Sequence, residues 1–349
     1  MEDRSPILSP GPGHFRLFLA LLVVYEHVAG VMLGRGAVFL FFVLSGFWIY
    51  RMWTQRYAAT TNAYLTFLVS RYWRLVPTFA IASIFAAIVA ALTTDGWTAQ
   101  FMAAQDLRSL FSHLFFVGYS GLAPRLLEPA WSLDVEMQFY LVAPVLALVL
   151  TKVGAPRFAA ALIGFTALAW LLDMPGQLQL VGWFAVGMAA AALACRPGKQ
   201  LVACCILAAV ALLLLVLASD MQAIVTDRNF HSQNTALNWL LAAILVPLAV
   251  RSCHQESDAR DRFLGDLSYP VYLVHWPLVV FAYQYLPDDG IARLLFTLAG
   301  SILLSIVILR WVDMPLQGLR SRWVGQRYRQ REAARDQATL DPEAGKLGH

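Results

Sequence analysis

The chain has 349 residues, 59% of them hydrophobic and 14% charged, with a mean hydropathy of +0.60. Soluble domains carry about a quarter charged residues, so an ordinary soluble enzyme is excluded, and repeated apolar runs of about 20 residues point to one polytopic membrane bundle. The net charge of +4 means little by itself: its placement sets topology, and no nucleic-acid partner is expected.

The pattern predicts an all-α transmembrane bundle of ten spans, at 15–34, 37–53, 76–93, 131–151, 157–173, 178–195, 200–218, 235–250, 268–286 and 291–312. Several runs abut, so nine or eleven also fit. The segment before Phe15 is rich in Pro and Gly and lacks a cleavage site, so the first helix is expected to stay as an anchor. With both termini cytoplasmic, 21 of the 26 basic residues fall inside, as the positive-inside rule asks. The four cysteines (Cys195, Cys204, Cys205, Cys253) lack metal-like spacing and read as structural; no metal site is expected.

The first span, FRLFLALLVVYEHVAGVMLG, carries ionisable residues at membrane depth, which are functional candidates by default. Arg16 and His27 are three helical turns apart and share one face, about 16 Å apart along the axis. In the second span Ser45 sits in LSGF, whose small residues also suit helix packing. Arg71 and Arg74 in RYWRLVP are i,i+3 at the start of the third span. They either grip a phosphate or simply satisfy topology.

The stretch 94–130 holds LFSHLFFVGYS, too short to span and read as interfacial or re-entrant. The fourth span opens with WSLDVEMQFY, where Ser132 reads as a helix cap and Ser132, Glu136 and Tyr140 form a polar stripe. Asp134 reads as favouring the positive helix end. The segment 219–234 reads as an external loop. In the ninth span Ser268, Tyr272 and His275 recur at helical spacing beside Pro277. With 1.5 Å of rise per residue, His27, Ser45 and Glu136 all fall roughly 18–22 Å above the cytoplasmic edge, and His275 roughly 10 Å above it. Glu136 wants a cationic or donor partner, with His27 and a nearby arginine the obvious choices. Glu26, about 100° round from His27, points to another helix. The tail from Arg320 is charged and poor in apolar residues, and reads as a partly disordered extension near anionic lipid.

Taken together and in this order, Arg16 and His27, FFVLSGF at 41–47, RYWRLVP at 71–77, WSLDVEMQFY at 131–140 and LGDLSYPVYLVHWPL at 264–278 resemble the acyltransferase-3 family of integral membrane O-acyltransferases. Glu26 beside the histidine departs from the family pattern. So does the lack of a soluble esterase-like domain after the tenth span. The resemblance implies a cytoplasmic segment at 1–14, a transmembrane acyltransferase domain at 15–318 and a tail at 319–349.

It also implies transfer of an acetyl group from cytosolic acyl-CoA, as co-substrate with no permanently bound cofactor, to a glycan hydroxyl. A bacterial exopolysaccharide repeat unit is the first candidate acceptor, in the inner membrane. The expected roles are His27 as general base with Glu136 and Ser45 beside it, and Arg16, Arg71, Arg74, His275 and Tyr272 toward the donor. The competing reading is a proton-coupled permease or flippase, since buried His and Glu also serve proton relays; the absence of an internal repeat counts against it.

Overall fold

The computed structural model describes residues 7–93 and 96–340. Among them the chain is helical and has no strand. The helices are α1 Pro12–Ala29, α2 Gly34–Gln55, α3 Ala63–Thr93, α4 Trp97–Ala103, α5 Leu107–Phe115, α6 Trp131–Val153 and α7 Ala155–Leu171. They continue with α8 Val181–Ala192, α9 Lys199–Ala218, α10 Ala223–Thr226, α11 His231–Ser252, α12 Ala259–Tyr285, α13 Gly290–Ile308 and α14 Met314–Leu340. A π-helical turn, Leu309–Asp313, joins the last two.

Each of the ten predicted runs falls on one of these helices. Among the described residues six stretches are long and apolar enough to cross a membrane: Gly34–Ala59, Ala63–Thr93, Glu128–Val153, Lys199–Ala218, His231–Ser252 and Gly290–Arg335. The chain is therefore a membrane protein. The outer face of α9 presents Leu201, Leu207, Leu214 and Leu215, an apolar surface suited to lipid. α1 and α12 are not among the six. They carry Arg16, His27, Asp261 and His275, and they pack against each other inside the bundle.

Four local readings need correction. α1 stops at Ala29 rather than running to 34, because Gly30 turns left-handed at φ 71° and its N–H closes on the Glu26 carbonyl. α3 starts at Ala63, so Arg71, Arg74 and Pro77 sit inside a long helix and not at its first turn. Hydropathy gives out before the helix does, since backbone bonding needs no apolar side chain. Ser132 does not cap α6, which starts after Ala130; its hydroxyl instead bonds the Pro129 carbonyl at 3.2 Å and Tyr272 at 2.8 Å. The tail is helical from Met314 to Leu340, held by contacts to α3 that composition cannot show; residues 341–349 lie outside the described residues.

The short run at 107–115 is the amphipathic α5, with Leu107, Phe111 and Leu114 exposed. Asp134 does more than favour a helix end. It is fully buried and accepts from Gly118 N–H, Ser120 N–H and hydroxyl, and the Gln138 amide at 2.6–3.0 Å. That set of bonds ties the loop before α6 to the helix. Within 219–234, α10 and the start of α11 help clamp the α1–α2 turn: Asn234 and Asn238 both donate to the Met32 carbonyl, and Asn238 accepts from Gly36 N–H.

Candidate active site

α12 is the element against which the site is built. At its start Asp258 caps the helix by accepting from Asp261 N–H at 2.7 Å. One turn in, the buried Asp261 carboxylate reaches across to the start of α1. There it accepts from Gly13 N–H at 3.0 Å, His14 N–H at 2.9 Å and the His14 ring at 2.6 Å, as well as from the Ser257 hydroxyl at 2.6 Å. Burial opposes its charge, but the Ser257, His14 and Gly13 donors outweigh that and hold its carboxyl below the usual range. α1 has no side-chain cap of its own, so this carboxylate satisfies amides that would otherwise be orphaned.

Fourteen residues further along both helices, the His27 and His275 rings stack at 5.3 Å with an interplanar angle of 28°. Trp276 meets His27 edge-on at 5.3 Å. The two contacts keep the same separation in sequence, so α1 and α12 run parallel and in register over about four turns. His275 is fully buried. Its Nδ1 lies 3.2 Å from the Val271 carbonyl, which can only accept, so Nδ1 carries the proton. Nε2 is then left with a lone pair and no hydrogen-bond partner among the described residues.

Below the histidines lies a cavity of about 510 Å³, a size that suits a small-molecule ligand. α12 lines it from Asp261 to Tyr272, about 16 Å of helix. Arg16, Ser45, Arg71, Arg74, Glu136 and Tyr272 all line it, so six of the eight residues singled out from the sequence share one space. His27 and His275 do not line it; they begin one turn beyond Tyr272.

The inner wall carries a hydroxyl–carboxylate cluster. Ser45 donates to Glu136 at 2.9 Å, and the Tyr140 hydroxyl donates to the same carboxylate oxygen. Glu136 thus takes its hydrogen bonds from Ser45 and Tyr140 rather than from His27. Tyr272 stands between this cluster and the histidines. Its hydroxyl bonds Pro129 and Ser132, and its ring meets His275 at 6.2 Å.

The outer part is cationic. Arg16 lies over the Trp48 ring at 5.9 Å. The buried Arg71 donates to the Tyr57 hydroxyl at 3.0 Å, while its Nε has no partner among the described residues. Arg74 is 3.9 Å from Asp266. With Arg56, Arg262 and Arg320, six arginines face three carboxylates, Glu136, Asp261 and Asp266. A small enclosed space with that excess of guanidinium suits a polyanionic ligand.

The family model of the acyltransferase domain matches residues 8–310. The chain belongs to the acyltransferase-3 family. No curated protein and no solved structure matches it.

In this acyltransferase-3 chain, sequence reasoning passed over four contributors to the site. Asp261 carried a findable signal, since Asp258 three residues before it marks a helix start. Tyr57, Arg56 and Arg320 carried none, because they reach the cavity only through the way α2, α3 and α14 pack. Glu26, unexplained in the sequence, accepts from Gly34 N–H at the start of α2. It fixes the turn that follows His27.

Proposed function

We propose that this acyltransferase moves an acetyl group from cytosolic acetyl-CoA to a hydroxyl of a glycan, with a bacterial exopolysaccharide repeat unit as the acceptor. The observation that carries this is one cavity whose outer part is lined by arginines and whose inner end reaches Tyr272, one turn from the paired histidines. The CoA phosphates would lie against Arg16, Arg71 and Arg74. The pantetheine arm would follow α12 toward Tyr272 and bring the thioester to the level of Ser45, Glu136 and Tyr140, below the histidines.

His27 then takes the proton of the acceptor hydroxyl. The oxygen attacks the thioester carbonyl, the C–S bond breaks, and the leaving thiolate takes the proton back from the imidazolium. His275, with a lone pair on Nε2, assists that proton movement. Ser45 and Tyr140 each carry a single O–H, given to Glu136 in the resting site; on turning from it, either would donate to the developing oxyanion.

The protein would sit in the bacterial inner membrane with ten spans and both termini in the cytoplasm. Helix direction supports that count. α1 runs parallel to α12, α2 to α6 (Phe42 beside Trp131, Ser45 beside Glu136) and α3 to α12 (Leu75 beside Tyr269, Leu92 beside Tyr285). In a ten-span chain each of these pairs is separated by an even number of crossings.

The test separates the two halves of the path. His27→Ala should cut acetyl transfer by about 10²–10⁴-fold with folding and CoA affinity intact. Arg71→Ala with Arg74→Ala should instead raise the donor KM by on the order of tenfold or more. A well-folded His27→Ala enzyme with wild-type turnover overturns the base assignment, and an unchanged donor KM in the double variant overturns the phosphate grip.

A further inference from the structure

Helix α14 lies beyond residue 310, where the family match ends, yet it is built into the bundle. Val324 is buried. Trp323 meets Trp73 of α3 at 6.3 Å. The Arg327 carbonyl accepts from the backbone and hydroxyl of Thr61 at 3.2 and 2.7 Å. Arg331 donates to the carbonyls of Ala58 and Thr60 at 2.7 and 2.9 Å. At its root Asp313 accepts from Thr78 at 2.6 Å.

So seated, α14 puts Arg320, Ser321 and Val324 into the lining of the cavity. Among the described residues Arg320 has only a long hydrogen-bond contact, 3.5 Å, to the Ser70 carbonyl, at the limit of a hydrogen bond. Arg71, Arg74 and Arg56 all lie close enough to repel it. Such a group of guanidiniums is costly unless an anion sits among them. One of them, Arg71, is 5% exposed and has a buried Nε with no partner among the described residues. The cluster is short of negative charge.

We infer that α14 is the closing wall of the donor site, and that Arg320 grips the nucleotide phosphates of acyl-CoA together with Arg71 and Arg74. This rests on the acyl-CoA reading above. The acyltransferase domain alone would hold the thioester arm but bind its phosphates incompletely. The C-terminal helix makes the site selective for the full nucleotide thioester over a plain pantetheine thioester.

The experiment titrates coenzyme A and, separately, pantetheine into the detergent-solubilised full chain by calorimetry. The wild type should bind coenzyme A well above pantetheine. Arg320→Ala should weaken coenzyme A by on the order of tenfold or more and leave pantetheine unchanged, while Arg320→Lys keeps most of the preference. Arg320→Gln, which keeps a donor for Ser70 and removes only the charge, should behave like the alanine variant. Unchanged coenzyme A binding in both neutral variants overturns the inference, and so does an equal loss for both ligands. A wild type with no preference for coenzyme A overturns the acyl-CoA reading itself, and this inference with it.

Discussion

Two helix seams in this bundle use the same device to different ends. Along α2–α8, a Cβ on Gly46 would overlap the Phe184 carbonyl and one on Gly187 the Val43 carbonyl. Around that contact the rings of Phe42 and Phe139 stack on Phe184 at 4.6 and 4.1 Å. Along α1–α12, a Cβ on Gly13 would overlap the Asp261 carbonyl, and Gly265 lies directly beside it. The ends of that seam are polar: the Asp261 carboxylate at one and the His27–His275 stack at the other. Close approach is common to both. Chemistry sits only where polar groups find their partners across the seam, since each unsatisfied polar group inside a membrane costs several kcal/mol.

The apolar seam should be the easier to break outright. Gly46→Leu would drive a side chain into the backbone of α8, which cannot move away as a flexible side chain would. Overpacking of this kind costs about 1–3 kcal/mol or more. The expected outcome is loss of monodisperse, thermally cooperative protein in detergent, and a variant that melts like the wild type would show the seam to be loose.

Asp261→Asn tests the polar seam. It should destabilise by about 1–3 kcal/mol, read as a lower melting temperature at pH 7. The pH dependence follows from the depressed carboxyl. Its stabilisation is complete above the ordinary Asp value of about 4 and fades as pH falls through the lower folded value. The gap between wild type and variant should therefore be widest above pH about 4 and narrow below it; a gap that widens on acidification would contradict the carboxylate role.

Ser45→Ala sharpens the comparison within a single helix, one residue from Gly46 but facing α6. It removes one hydrogen bond to Glu136, so a loss of about 3- to 10-fold in turnover is expected from roughly 0.5–1.5 kcal/mol, with the melting temperature nearly unchanged. A collapse in stability like that of the glycine variant would mean that both faces of α2 are structural.

Much of the fold was legible because membrane helices are long apolar runs, and all ten runs fall on helices. Helix starts were not legible where charged residues interrupt or begin the helix, as at Arg71 and Arg74 in α3 and just after Ala259 in α12, because hydropathy reports burial in lipid and not backbone bonding. Six candidate site residues share the cavity because helical spacing fixes which side chains face together. Depth set Glu136 level with Ser45, and the two are hydrogen-bonded at 2.9 Å, but it did not choose between Ser45 and His27 as the donor. Equal height in the membrane says nothing about rotation, and the carboxylate turns to Ser45 and Tyr140. Arg320 was invisible, since a basic tail and a docked basic helix have the same composition.

The Asp261 clasp also bears on how the protein is made. Its carboxylate is 248 residues from the Gly13 amide it holds, and His275 is equally far from His27. A chain synthesised from its N-terminus therefore inserts α1 long before either partner exists. Until α12 arrives, the first amides of α1 are served by water, and the His27 ring lacks the stack that it makes with His275. The oldest part of the chain becomes the last to be set in place, so a nascent chain cut short before α12 carries no half-built catalyst.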